Sequence, residues 1–190
     1  MEIPRPRLRW EALARYLSFG FVGAVALSLV VLLAWAVVRS KTASNEGVGP
    51  FPVNVRPAPD FEVELYEGGT FRLADQRGKW VMVNFWASWC PSCREEAPDM
   101  QRAWLRWQER GVVFLGIDYQ DTPADGRAFI REFGITYPNG PEPGRLSVDF
   151  GILGVPESFM IDPEGRIVGR YVGPMKGETI DQMIGEYVRE

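Results

Sequence analysis

The chain has 190 residues, 46% of them apolar, with seven Trp and eleven Phe, which is enough for one domain with a sizeable core plus an extra segment. Its net charge of −4 is unevenly split: residues 1–56 carry seven Lys/Arg against three Asp/Glu (+4), and residues 57–190 carry fourteen against twenty-two (−8). A basic head on an acidic body argues against a nucleic-acid partner, because the body would repel phosphates. The absence of histidine removes haem ligation by His and Cys/His copper carriage.

Residues 1–16 form a basic N-terminus containing Arg5, Arg7, Arg9 and Arg15. Residues 17–38, Leu17 to Val38, follow as 22 residues without a charge. As a helix they would span roughly 33 Å at ~1.5 Å per residue, matching a hydrocarbon core of ~30 Å. Only Arg39 and Lys41 stand close behind the run. The positive-inside rule therefore puts the N-terminus in the cytoplasm and the body on the extracytoplasmic (periplasmic) side of the cytoplasmic membrane. A cleaved signal peptide is the alternative. Its apolar region is usually ~7–15 residues with a small-x-small exit, whereas this run is longer and ends in Val37-Val38-Arg39. The expectation is an uncleaved, single-pass transmembrane anchor.

Residues 39–56, rich in Ser, Asn, Gly and Pro, read as a linker. The globular domain is expected over 57–190. Phe61 to Tyr66 and Thr70 to Leu73, around Glu67-Gly68-Gly69, suggest a hairpin. Trp80 to Trp86 is an almost wholly apolar run and reads as a central strand. Pro91 to Arg110 has a helical pattern with a kink expected at Pro98, and Gly111 ends it. Met100, Trp104 and Trp107 suit the core face of that helix. Val112 to Ile117 is a second buried strand, and Ala124 to Phe133 a helix stopped by Gly134. Ser158 to Ile161 and Ile167 to Val172 flank an Asp162-Pro163-Glu164-Gly165 turn as a closing hairpin. Lys176 to Val188 is a last helix. Strands alternating with helices and then a hairpin predict an α/β domain with a mixed central sheet flanked by helices.

Both cysteines lie in "NFWASWCPSCREEAP", Asn84 to Pro98. Three uses are open to such a pair. A structural zinc site needs about four N or S ligands, and the chain offers two sulfurs and no imidazole. A structural disulfide across two residues closes so small a loop that it removes little unfolded-state entropy. A redox pair has positive support. With Pro91 opening the helix, Cys90 sits at the helix N-terminus, where free N–H groups and the positive dipole end favour a thiolate. Cys93, one turn inward, is expected to be the less exposed of the two. Cys90 would attack a partner disulfide, and Cys93 would then attack Cys90 to release the reduced partner. Glu96 shares a helical face with Cys93, so it is the candidate acceptor of the Cys93 proton, in preference to Glu95. Trp89 is placed to cover the sulfur or touch substrate, or else to pack in the core.

The segment Asn84 to Pro98 resembles the active-site segment of thioredoxin-like thiol–disulfide oxidoreductases, specifically the membrane-anchored TlpA/ResA/CcmG (DsbE) group, and CcmG/DsbE most closely. That group carries an acidic residue at the position of Glu96 and a proline matching Pro98. Asn84 stands six residues before Cys90, where general thioredoxins have a buried Asp. "GILGVPESFMID", Gly151 to Asp162, is similar to the segment that carries a cis-proline beside the two cysteines. By that resemblance Pro156 is the cis-proline, and Val155 presents backbone groups to an extended substrate, as strand addition requires. The "VPE" form and the stretch "GIDYQDTPADGRAFIREFG" are closer to CcmG than to ResA. Pro91, Ser92 and Glu157 join the expected substrate contacts, Glu157 either through polar contacts near the thiols or as a surface charge.

The resemblance implies a thioredoxin-like fold and a reductase for the disulfide of apocytochrome c haem-attachment motifs, acting directly or through a maturation partner. A membrane electron carrier of the CcdA/DsbD kind would re-reduce it, and no cofactor or metal is required beyond the Cys90–Cys93 pair. The alternatives are the same chemistry on another client, such as copper-site assembly or general disulfide reduction, a thiol peroxidase, or a non-enzymatic metal-binding module.

Overall fold

The computed structural model describes residues 27–35 and 49–188. The chain divides into two compact units, Met1–Glu46 and Gly47–Glu190. In the first, residues 27–35 are helical (α1), and Leu27, Leu29, Val30, Val31, Leu32, Leu33 and Trp35 are each more than half exposed. The rest of the expected anchor and the basic N-terminus lie outside the described residues. Among the described residues no helix is long and apolar enough to cross a membrane.

The second unit is built on one mixed sheet. Its middle strand, β5 (Trp80–Trp86), pairs in parallel with β6 (Val112–Asp118) on one side and antiparallel with β8 (Glu157–Ile161) on the other. β8 continues antiparallel to β9 (Arg166–Val172), and β6 carries the short parallel β7 (Asn139–Pro141). A run of apolar residues suits β5 because both its faces are covered. Met82 and Trp86 point into a core shared with helix α2 (Pro91–Trp107), while Val81, Val83 and Phe85 point into a second core on the other face. The period-two alternation of a strand thus decides which side chains meet the cysteines and which do not.

Helix α2 buries Cys93, Glu96, Ala97, Met100, Ala103 and Trp107, a one-sided stripe at helical spacing. Pro98 lies inside the helix without ending it. A 3₁₀ turn, Gln108–Arg110, follows, and Gly111 at φ 80° closes the segment. Helix α3 (Pro123–Phe133) opens on Thr122, whose hydroxyl accepts the Asp125 N–H, and stops at Gly134 with φ 59°. The last helix, α5, is Gly177–Tyr187.

Three features depart from the expected layout. The linker is partly sheet: β1 (Gly49–Pro50) and β2 (Arg56–Pro57) add antiparallel to β9, so the compact unit begins at Gly47 rather than at residue 57. These prolines lack donors, which confines such strands to an edge and keeps them short; in exchange they cover the exposed side of β9. The hairpin of β3 (Glu62–Glu64) and β4 (Thr70–Arg72) is a separate two-stranded sheet. A short helix, α4 (Leu146–Phe150), fills the second core with Phe150, which meets Phe85 and Phe159 edge-on.

Candidate active site

The chain leaves β5 at Trp86 and reaches α2 within four residues. The turn is closed by the Cys90 N–H donating to the Ala87 carbonyl at 3.2 Å. Cys90 is the N-cap, in extended conformation (φ −87°, ψ 113°), and its sulfur accepts the N–H of Cys93 at 3.2 Å. That N–H is one of the amides a helix start leaves without a partner. Pro91, in the first turn, has no N–H to waste there. The sequence places a sulfur at the one point of the helix where donors converge on it.

Cys90 and Cys93 are joined as a disulfide, with Cα atoms 5.3 Å apart. Contrary to expectation, Cys93 is not the more shielded of the two: each is 3% exposed. The Val155 carbonyl oxygen and the Ser92 hydroxyl, each 3.4 Å from the Cys90 sulfur, crowd it as much as the helix covers Cys93. The asymmetry lies in the bonding instead. A helix amide and a hydroxyl address Cys90, and the Val155 carbonyl stands ready to accept from its S–H when reduced.

Trp89 is 57% exposed and held by its indole N–H to the Gln120 carbonyl at 3.1 Å. It is an exposed plate beside Cys90 and not a core residue. Pro91 is exposed, and Ser92 and Val155 are half-buried, so all four stand at the surface around the reactive sulfur. The Val155–Pro156 peptide is cis, and Pro156 shares a cavity with Cys93.

That cavity, about 10 Å³, is also lined by Asn84, Glu96 and Tyr137. Its size is of the order that one water requires. Glu96 is 2% exposed, whereas Glu95 points to solvent. One Glu96 oxygen accepts from the Asn84 amide at 3.2 Å and the other from the Met175 N–H at 3.4 Å. Burial pushes the Glu96 carboxyl up to about 8, with Asp99 adding to the rise; the Met175 N–H, Lys176 and the Asn84 amide oppose it. A carboxyl in that range is closely matched to a thiol, so a proton can pass between Cys93 and Glu96 at little cost. The Asn84 amide also donates to the Ser158 hydroxyl at 3.0 Å. An acidic side chain at 84 would instead face Glu96 as a like charge.

Glu157 corrects the sequence reading. It is fully buried and faces neither the thiols nor solvent. It pairs in register with Phe85, so alternation turns it to the face of the sheet away from α2, while Ser158 pairs with Asn84 on the near face. There it forms an ion pair with Arg170 at 2.5 Å and accepts the Leu153 N–H at 2.9 Å, while Arg170 also donates to the Gly151 carbonyl. Glu157 therefore braces the loop leading to Pro156. Losing either charge of such a buried pair costs about 3–5 kcal/mol.

Sequence reasoning passed over Ser158, Tyr137, Asp118 and Asp121. Asp118 carried a usable signal: it ends a buried strand beside the end of β5, and functional groups of open α/β sheets collect at strand carboxyl ends.

A pair of sulfurs that can open and close a bond at a helix N-terminus, beside a buried carboxyl able to take a proton, makes this protein a thiol–disulfide oxidoreductase of the thioredoxin-like fold. Residues 55–170 match the AhpC/TSA family, and the chain belongs to that family. It is 39% identical over 133 residues to the thiol:disulfide interchange protein HelX of Rhodobacter capsulatus, covering 68% of this chain and 73% of HelX. It is 40% identical over 132 residues to the thiol:disulfide interchange protein DsbE of Pseudomonas fluorescens, covering 68% and 69% respectively. Among solved structures, a thioredoxin-family thiol:disulfide interchange protein of Chlorobium tepidum superposes with a TM-score of 0.66 at 33% identity, over 73% of this chain and 99% of that one.

The raised Glu96 carboxyl links stability to pH. Folding favours its protonated form, so its contribution is complete below the unfolded value near 4.5 and is lost as pH rises through about 8. Between about pH 5 and pH 9 the oxidised protein should lose a few kcal/mol that Glu96→Gln does not lose, because a tenfold change in a group's proton affinity on folding corresponds to about 1.4 kcal/mol. Chemical denaturation at the two pH values measures this, and equal losses in both proteins would remove the assigned protonation of Glu96.

Proposed function

We propose that this oxidoreductase works as a membrane-anchored reductase on the extracytoplasmic side, with apocytochrome c or a cytochrome maturation protein as client. The observation that carries the direction of the chemistry is the helix amide on the Cys90 sulfur: it stabilises an anion there and favours the reduced, attacking form. The reduced Cys90 thiolate attacks one sulfur of a client disulfide. A mixed disulfide forms and the other client sulfur leaves as a thiolate. Cys93 gives its proton toward Glu96 through the shared cavity and attacks the Cys90 sulfur. The Cys90–Cys93 bond forms, the second client sulfur leaves, and the client is a dithiol.

Trp89, Pro91, Ser92 and Val155 form the surface a client must cross to reach Cys90, with Val155 offering backbone to an extended segment. Two electrons must then be returned to the pair, which is the role of a membrane carrier of the CcdA/DsbD kind. No cofactor enters these steps. The assignment of the client rests on the resemblance of residues 84–98 and 151–162 to the CcmG/DsbE group, and on location: haem attachment needs reduced thiols where the surroundings oxidise them. Anchoring is supported by 22 consecutive uncharged residues and by the bare apolar surface of α1, which water does not favour.

Cys93→Ser stops the exchange halfway. In cells it should accumulate a covalent adduct through Cys90 that thiol reductants release, and mass spectrometry of the released partner should find an apocytochrome or a maturation protein. A copper-site protein or a broad mixture would change the client, and no adduct at all would count against the mechanism. Full-length protein should stay in the membrane fraction after alkaline washing. A shortened soluble form would mean that the apolar run is removed.

A further inference from the structure

One buried oxygen away from the thiols has no evident partner. Asp118, at the end of β6, is 2% exposed. Its Oδ2 accepts the Tyr66 hydroxyl at 2.6 Å, but among the described residues no donor reaches its Oδ1. A second carboxyl, Asp121, three residues on, interacts with the Asp118 side chain. Two carboxylates repel; a carboxylic acid and a carboxylate bond strongly.

Asp121 is not idle. Its Oδ2 accepts the Ser88 N–H at 2.7 Å, and its Oδ1 accepts the Thr122 N–H at 2.8 Å. Between the two aspartates Gln120 takes φ 47°, and its carbonyl holds the Trp89 indole. The turn 119–122 is therefore fastened to Ser88 and Trp89, the two residues that lead into Cys90. Helix α3 presses on Asp118 and Tyr66 with bare backbone: a Cβ on Gly126 would stand 2.0 Å from Asp118 Oδ2 and 2.7 Å from the Tyr66 oxygen.

We propose that Asp118 and Asp121 share one proton, Asp118 donating to Asp121, and that this bond positions the Ser88–Trp89 turn and with it the attacking sulfur of Cys90. Both are positioning residues; neither touches the sulfurs. The proposal rests on Cys90 being the attacking thiol, as argued above.

The surrounding charges fit one proton between two carboxyls. Asp125 of α3 faces the pair as a third acid and is occupied by the Thr122 hydroxyl at 2.6 Å. Arg127 of α3 lies over the Tyr66 ring, 4.8 Å from its centroid, and donates to the Tyr66 carbonyl rather than to either aspartate. Glu142, whose N–H donates to the Asp118 carbonyl, turns its own carboxylate to the Ser147 N–H. Among the described residues no cation is bonded to Asp118. Burial and the acidic neighbours push it up to about 7, while the Ser88 and Thr122 donors and Asp118 itself hold Asp121 below the usual carboxylate range. As pH rises through about 7 the proton leaves, two like charges face each other, and the grip on Ser88 weakens.

The test uses full-length oxidised protein in detergent, where the cysteines do not titrate. Carboxyl-carbon NMR should show Asp118 titrating near 7 and Asp121 well below it, and the Ser88 amide resonance should move with Asp118. Both carboxyls titrating in the ordinary acid range would overturn the shared proton without any variant being made. Asp118→Asn, whose amide donates at every pH, should abolish the Ser88 movement while leaving the fold intact; persistence of that movement would overturn the positioning role. In the reduced protein, Cys90 alkylation should match between wild type and Asp118→Asn near pH 6. Near pH 8 the wild type should fall behind by about three-fold, the scale of one weakened charge-assisted hydrogen bond. Equal rates at both pH values would also overturn that role. If Cys90 proves unreactive in both proteins while the carboxyl titration stands, it is the oxidoreductase mechanism that fails and not the shared proton.

Discussion

The arrangement depends on one hydrogen bond, from the Cys93 N–H to the Cys90 sulfur at 3.2 Å. It is available because Cys90 caps α2 and has not joined it, and Cys90 caps α2 because Pro91 follows it. The same bond puts Cys93 within reach for the return attack, since residues three apart on a helix start lie on one face. Lowering a thiol pKa by roughly 1.5 corresponds to about 2 kcal/mol in favour of the anion, within reach of a helix terminus plus one or two such bonds. The groups around it either hold this cap in place or, as Glu96 does, take up the proton that Cys93 loses in the step that follows.

Two buried glutamates show how partners decide function. Glu157 has Arg170 against it, so its charge is matched and it serves as a strut for the loop before Pro156. Among the described residues Glu96 is bonded only by neutral donors, Asn84 and the Met175 N–H, and burial outweighs them and the more distant Lys176, so its carboxyl rises to about 8. One braces a loop and the other can exchange a proton, although both are nearly inaccessible. The sheet separates them: β5 and β8 alternate, Asn84 and Ser158 look toward α2, and Phe85 and Glu157 look away.

Much of this was legible beforehand because it is local. The cap, the proline after it, the three-residue spacing of Cys93 and Glu96, and the glycine stops at 111 and 134 are all set by nearest neighbours along the chain. What depends on distant pairing was not legible. Residues 49–56 read as linker, and only the open side of β9 makes strands of Gly49–Pro50 and Arg56–Pro57. β7 and α4, three and five residues long, carry too little pattern to announce themselves. The position of Glu157 after Pro156 suggests either the thiols or the surface, whereas alternation along β8 turns it to the opposite face of the sheet. The equal cover of the two cysteines comes from Val155, sixty-five residues from Cys90, and no local pattern contains that contact.

The most direct measurement is the pH dependence of alkylation of the reduced protein, followed separately at Cys90 and Cys93 by peptide mass spectrometry. The account predicts that Cys90 ionises clearly below the ordinary thiol value of about 8.5 and reacts well ahead of Cys93 at neutral pH. A Cys90 that ionises like a thiol in an unfolded peptide, with Cys93 reacting as fast, would contradict it.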